Sequence, residues 1–212
     1  MRITSEVQVE PPKRVPGRPR AFDADRVLDA ALELFWKQGY TTTTTRELES
    51  TLGLCQSSIY NTFGSKRGLL EAALDRYEAL TDCELLRPLE ESQEGLRAIE
   101  TFFGALYRWV THEGRRGCML INMMAEDGGE TDAITKRARV YRGRVRTALR
   151  DGLARALSRG ESVGGSADER ADLLLGLVLG LNVAARGGAS KAELAQLLDA
   201  VCVQIRGWGV AA

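Results

Sequence analysis

The sequence predicts an all-α protein, a small N-terminal domain of three helices followed by a larger helical domain. Three observations carry that expectation. Between Thr44 and Phe63 two short amphipathic segments meet at Gly53, with helix-opening residues ahead of the first. Beyond Leu70 apolar residues recur at helical spacing almost throughout, interrupted by glycines and one proline. From Ala171 to Ala185 the apolar residues cover nearly every direction of a helix, so that segment is expected to be buried all round.

Residues 1–21 read as a flexible basic arm. Between Pro11 and Arg20, Lys13, Arg14, Arg18 and Arg20 meet no acid, and Pro11, Pro12, Pro16 and Pro19 keep the chain extended. Gly17-Arg18-Pro19 looks like the core of an AT-hook, which lies in a narrow minor groove, so Arg18 and Arg20 are candidate DNA contacts; a plain tail is the alternative. Residues 22–68 form the expected helix-turn-helix domain. Asp23 is a candidate N-cap, Phe22 and Val27 a candidate hydrophobic staple, and Val27, Ala30, Ala31, Leu34 and Phe35 one apolar face that ends at Gly39. The threonines from Thr41 to Thr45 lead into a capping box, in which the Thr44 hydroxyl accepts from the Glu47 amide and the Glu47 carboxylate reaches back. A short helix starts at Thr45, with Leu48 and Leu52 on one face. Gly53 ends it in a left-handed turn, inside which Leu54 packs.

A second helix from Gln56 puts Ile59 and Phe63 on an apolar stripe and leaves Gln56, Ser57, Ser58, Tyr60, Asn61 and Thr62 pointing elsewhere. Amides bond base edges bidentately and hydroxyls bond phosphates or bases. Gln56, Ser57, Ser58 and Asn61 are therefore expected on base edges; Thr44, Tyr60, Thr62 and Lys66 on phosphates, with Thr45 beside them. A solvated surface helix is the competing expectation. Ser65 caps the next helix, whose first residues are Lys66 and Arg67.

The run from Arg18 to Tyr77, with Phe35-Trp36-Lys37-Gln38-Gly39-Tyr40, Gly53-Leu54, Ser58-Ile59-Tyr60, Phe63-Gly64-Ser65-Lys66 and Leu69-Leu70, resembles the N-terminal domain of TetR-type transcriptional regulators. The resemblance implies an all-helical homodimer of about nine helices, a repressor more often than an activator, released from its operator by a small molecule. Two positions depart from the family pattern. Cys55 stands where Ser or Thr is common and Glu49 where a small residue is common, which bears on the cap of the second motif helix and on its packing against the first.

Residues 69–212 are expected to bind a ligand and to dimerise. Breaks are predicted at Pro88, Gly114 to Gly117, Gly128-Gly129, Gly160 to Gly165 and Gly187-Gly188. Leu96, Ile99, Phe102, Phe103, Leu106, Trp109 and Val110 form a stripe broad enough to line a cavity, and the thioether-rich run Cys118 to Met124 adapts to irregular shapes. A mostly apolar pocket of Phe103, Leu106, Tyr107, Met119, Asn122, Met123 and Tyr141 is expected, against the alternative that the methionines fill core gaps. Thr131 to Ser158 is the longest predicted helix, and its arginines fall all round it, as on a salt-bridged face rather than a second nucleic-acid surface. Gly176, Gly180 and Ala184 recur every four residues and admit a close partner helix. With the final helix, Lys191 to Trp208, they place Leu173, Leu177, Gly180, Leu181, Ala184, Leu198, Val201 and Ile205 at a four-helix dimer interface, or else in the chain's own core.

Composition narrows the function classes. Apolar residues at 44%, charged residues at 27% and a formal charge of zero describe an ordinary globular chain. No run reaches the roughly 20 apolar residues of a membrane span. Four widely spaced cysteines, one histidine (His112) and no signal peptide point to a reducing cytoplasm, no metal, no cofactor and no enzyme. The expected protein is a dimeric regulator bound to double-stranded operator DNA and released by an apolar or amphipathic effector; a thiol switch at Cys55 or Cys118 is the alternative.

Overall fold

The computed structural model describes residues 23–112, 117–126 and 132–209. The arm with Arg18 and Arg20, Phe22 of the staple, Gly114 and the Gly128-Gly129 break lie outside the described residues. Ten α-helices and no strand occur among the described residues.

Helix α1 (Ala24–Gln38) opens on Asp23, whose Oδ1 accepts from the amides of Asp25 at 3.1 Å and Arg26 at 3.3 Å. Its last turn is closed by the Gly39 amide on the Phe35 carbonyl and by the hydroxyls of Thr42 and Thr43, which bond back to Gln38 and Gly39. Helix α2 (Thr45–Leu52) carries the full capping box, with the Glu47 amide 3.2 Å from Thr44 Oγ1 and the Thr44 amide 2.7 Å from Glu47 Oε2. Gly53 turns the chain at φ 64° into α3 (Gln56–Phe63), and Ser65 caps α4 (Lys66–Thr81) through the Gly68 amide at 3.0 Å. Leu48 of α2 and Ile59 of α3 are sealed completely, in one core with α1 and with Leu69, Leu70, Ala73 and Leu74 of α4.

The predicted break at Pro88 does not occur. After α4 a π-turn over Asp82–Leu86 continues the helix into α5 (Arg87–Glu91), with the Arg87 amide bonded five residues back to the Asp82 carbonyl. Pro88 follows the π-turn directly, where the widened turn has already altered the amide–carbonyl pairing that a proline would interrupt in a regular helix. The chain leaves the helix at Ser92 and re-enters at α6 (Leu96–Thr111), whose broad apolar stripe from Leu96 to Val110 is buried. Helix α7 (Met119–Glu126) is short; α8 (Asp132–Ser158) is the longest. Arginines of α8 are paired as its pattern predicts: Arg137 with Asp75 and Glu78, Arg144 with Asp82 and Glu90, Arg146 with Asp168 and Asp172.

Helix α9 (Ala167–Arg186) opens on a Ser166–Glu169 capping box and packs along α8, while α10 (Lys191–Gly209) lies across α6. The expectation that α9 is buried all round fails within one chain. Leu174, Val178, Leu181 and Ala185 face inward, but Leu173 is 42% and Val183 62% exposed, because α8, α6 and α10 cover only part of its circumference.

Trp36 joins the two halves. Its ring meets Tyr77 edge-on at 5.1 Å and Trp109 at 5.5 Å, and its indole N–H donates to the Gly117 carbonyl at 3.0 Å. Gly117 has φ 72°, and a Cβ there would lie 2.4 Å from the Asn182 carbonyl, so only glycine lets this loop pass so close to α9. Trp36→Phe removes the donor from a buried carbonyl. It is expected to lower the unfolding free energy by about 1–3 kcal/mol, read as a shift of the urea midpoint at unchanged m.

Candidate nucleic-acid interface

Buried Ile59 fixes the rotation of α3, and from that rotation follows what the helix shows to solvent. Gln56, Ser57 and Asn61 are exposed, and the half-buried Tyr60 lies beside them on the same face. Thr44 is exposed at the start of α2, and Thr45 Oγ1 lies 3.3 Å from the Tyr60 hydroxyl, so the first turn of α2 and the middle of α3 are tied together. Ser58 and Thr62 are less available than their positions imply. The Thr62 hydroxyl donates to the Ser58 carbonyl at 2.8 Å, and Ser58 Oγ is turned toward Cys55 Sγ at 3.2 Å. Lys66, expected on a phosphate, also turns inward. Its ammonium bonds the Tyr40 carbonyl at 2.6 Å and stands 4.4 Å over the Tyr40 ring, and burial pulls its pKa down.

The two departures from the family pattern answer one another. Cys55 occupies the N-cap position of α3 in extended conformation, yet its thiol makes no capping bond. The Gln56 amide donates instead to Glu49 Oε1 at 2.6 Å, so a carboxylate from α2 caps α3 across the turn. Sequence spacing does not reveal this, because the cap comes from the preceding helix; the signal was a carboxylate one helix upstream of an uncapped N-terminus. Freed from capping, Cys55 Sγ lies 3.2 Å from both Ser57 Oγ and Ser58 Oγ. Those hydroxyls, Ser57 foremost, pull the thiol down to about 7. Cys118 is the opposite case: it is buried, it accepts from the Tyr77 hydroxyl at 3.3 Å, and burial pushes its thiol up.

The residues expected to line one pocket are distributed over several places. Phe103, Leu106, Met119 and Met123 are core residues, which is the gap-filling alternative. The Tyr107 hydroxyl donates to the Lys191 carbonyl at 3.3 Å. Tyr141 borders a cleft of about 280 Å³ with Glu78, Lys136, Arg137, Val140 and Arg144. Asn122 borders another, of about 450 Å³, between α7 and α9. The helical stripe identified apolar residues but not the rotation of each helix, and that rotation points most of them into the core.

The expected dimer residues are better gathered. Leu173, Leu177, Gly180, Leu181 and Val201 line one groove of about 410 Å³ on α9 and α10, with Gly176, Leu197, Ala200 and Gln204. Ala184 and Leu198 are half-buried. Ile205 is fully buried in the chain's own core, on the side of α10 that lies across α6, so it is a packing residue here.

Comparison with known proteins follows the same division. Residues 27–73 match the profile of bacterial regulatory proteins of the tetR family, and residues 95–201 that of the tetracyclin repressor-like C-terminal domain. The chain is 35% identical over 130 residues to the HTH-type transcriptional repressor ComR of Escherichia coli K12, covering 56% of this chain and 59% of that one. It is 34% identical over 111 residues to the repressor BdcR of the same organism, covering 51% and 55%. The chain thus spans under two thirds of the length of these relatives. Among solved structures, a cysteine mutant of the TetR family transcriptional regulator CifR complexed with 26 bp double-strand operator DNA superposes with a TM-score of 0.75 at 25% identity, covering 91% of this chain and 100% of that one. A TetR transcriptional regulator from Chloroflexus aurantiacus gives 0.75 at 23% identity, covering 86% and 93%.

If Glu49 replaces the missing N-cap, Glu49→Ala should cost about 0.5–2 kcal/mol of stability, and the cost should shrink when Cys55→Ser supplies a hydroxyl cap. A double-mutant cycle by chemical denaturation measures this; equal losses in both backgrounds would exclude the compensation.

Proposed function

Since the chain belongs to the TetR family of bacterial regulatory proteins, and not to a family of enzymes, we propose that it is a dimeric transcriptional repressor that reads a palindromic operator with α3. A small apolar or amphipathic ligand releases it. The observation that carries this is the outward face of α3, where Gln56, Ser57 and Asn61 are exposed and Tyr60 half-buried beside them, on a helix whose rotation is fixed by buried Ile59. Exposed amides and hydroxyls on a rigid support are what base-edge and phosphate recognition require. ComR and BdcR are named repressors, and the CifR mutant is held on operator DNA, which supports the same function here.

In this scheme residues 22–68 form the DNA-binding unit and residues 69–212 bind effector and partner. Thr44 and Thr45 hold phosphates beside Tyr60; Lys66 braces Tyr40 and has further N–H donors for a phosphate. Arg18 and Arg20 of the arm add minor-groove contacts. Exposed Leu173, Leu197 and Val183 supply the apolar face that a second copy would cover, pairing α9 and α10 into a four-helix interface. The effector is a small molecule that enters the clefts at Tyr141 or Asn122 and favours a head spacing that no longer fits consecutive major grooves. The protein acts on DNA in the cytoplasm, and no described helix is long and apolar enough to cross a membrane.

One observation favours a second mode of release. Cys55 is exposed at the N-terminus of α3 with its thiol pulled down to about 7, so near neutral pH about half of it is thiolate, the nucleophilic form. An adduct on Cys55 would stand between α3 and the major groove. Buried Cys118 has no such access.

Two outcomes are expected. Footprinting on duplexes selected from a random pool should show two symmetric half-sites, and Gln56→Ala should change preference at one base pair by about 1–3 kcal/mol; a uniform loss on every duplex would remove Gln56 from base reading. Iodoacetamide should label Cys55 at a rate that rises with pH through about 7 and then levels, because the lowered pKa puts the thiolate transition there. Labelling should abolish binding in the wild type and leave Cys55→Ser unaffected; a rate still climbing near pH 9 would rule out an activated thiol.

A further inference from the structure

The turn between α1 and α2 is held from outside the helix-turn-helix. The Tyr40 amide donates to Glu126 Oε2 at 2.9 Å, while the Tyr40 carbonyl accepts from Lys66 at 2.6 Å, so both backbone groups of this residue are fixed. Glu126 is the last residue of α7. Its other oxygen, Oε1, lies 3.4 Å from Nη2 of Arg186, the last residue of α9, and Arg186 Nη1 donates to the Trp36 carbonyl at 3.4 Å. One carboxylate and one guanidinium therefore join α7, α9 and the end of α1.

The site is closed enough to transmit position. The Glu126 side chain is 23% exposed and that of Arg186 35%, so solvent does not fully screen the pair. Gly39, at φ 93°, lies under the carboxylate, and a Cβ there would come within 2.3 Å of Glu126 Oε1. Any other residue at position 39 would push Glu126 away from the turn. On the far side, α9 carries the apolar groove proposed above as the dimer contact.

We infer that Glu126 is a positioning residue: with Arg186 it transmits the orientation of α9 to the α1–α2 turn and so sets the half-site spacing that the two heads accept. Trp36 and its bond to Gly117 attach each head to the body; Glu126 fixes the angle. The inference rests on the two-headed dimer proposed above.

Its test is spacing preference, which a purely stabilising carboxylate would leave unmoved. Palindromic duplexes selected by the full-length wild type are remade with one base pair removed or inserted between the half-sites, and affinities are measured alongside melting temperature and sedimentation. Wild type is expected to lose about tenfold or more on the altered spacings. Glu126→Ala, folded and dimeric, is expected to lose about threefold or less. Should Glu126→Ala fail to fold, Glu126→Gln carries the same comparison, since its amide oxygen still accepts from Tyr40 but offers no charge to Arg186. A folded variant that keeps the wild-type preference, even with a lowered melting temperature, overturns the role of Glu126 alone. A wild type with no spacing preference overturns the two-headed dimer and this inference with it.

Discussion

Everything in this molecule hangs on the sharing of α4 between two sets of partners. Its first turns give Leu69, Leu70, Ala73 and Leu74 to the helix-turn-helix, and three residues later Tyr77 enters the aromatic cluster with Trp36 and Trp109. The hydrophobic core is therefore continuous from Ala31 to Trp208. A boundary drawn between residues 68 and 69 marks no hinge, because it cuts a helix near its start. Motion of the body relative to a head must act through α4 or through the few polar bonds around Tyr40, since packed interiors move as units.

The charge arrangement near α3 is unusual for a surface expected to meet phosphates. Two carboxylates, Glu47 and Glu49, stand at the openings of α2 and α3, and both are bonded to backbone amides. Glu47 is held below the usual carboxylate range by the Thr44 amide and hydroxyl. These helix termini satisfy their own positive ends, so they are not open anion sites. The proposed recognition therefore rests on side chains on the flank of α3, a placement suited to base reading more than to generic phosphate attraction. The zero net charge of the chain fits the same economy.

Helix ends of the N-terminal region, determined by neighbours in sequence, were legible, whereas Pro88 predicted a break that the chain does not make. Asp23, Thr44 with Glu47, Gly53 and Ser65 each mark a helix end through bonds spanning two to four residues, and all stand where their spacing puts them. Features determined by rotation of one helix against another were not. Apolar residues of α6 and α7 were recognisable as such, but whether Phe103 or Met119 lines a cavity or fills a core depends on a few tens of degrees about the helix axis. Helix α9 shows the same limit from the other side: its apolar pattern runs all round, yet a single chain covers only part of it and leaves Leu173 and Val183 exposed. The Glu49 cap and the Glu126 contact join residues from different elements, where no local spacing rule applies.

The π-turn at Asp82–Leu86 keeps helix faces in phase. Counting about 100° per residue, an unbroken α-helix would carry Leu86 and Leu89 well away from the stripe of Leu70, Leu74 and Tyr77. One surplus residue absorbed in the wider turn restores them, and Leu86 and Leu89 are in fact buried with that stripe. Chain length and angular register are thereby uncoupled at this point. A homologue one residue shorter between Thr81 and Leu86 would show the same buried stripe from a regular helix, and an alignment gap there would mark conserved geometry rather than divergence.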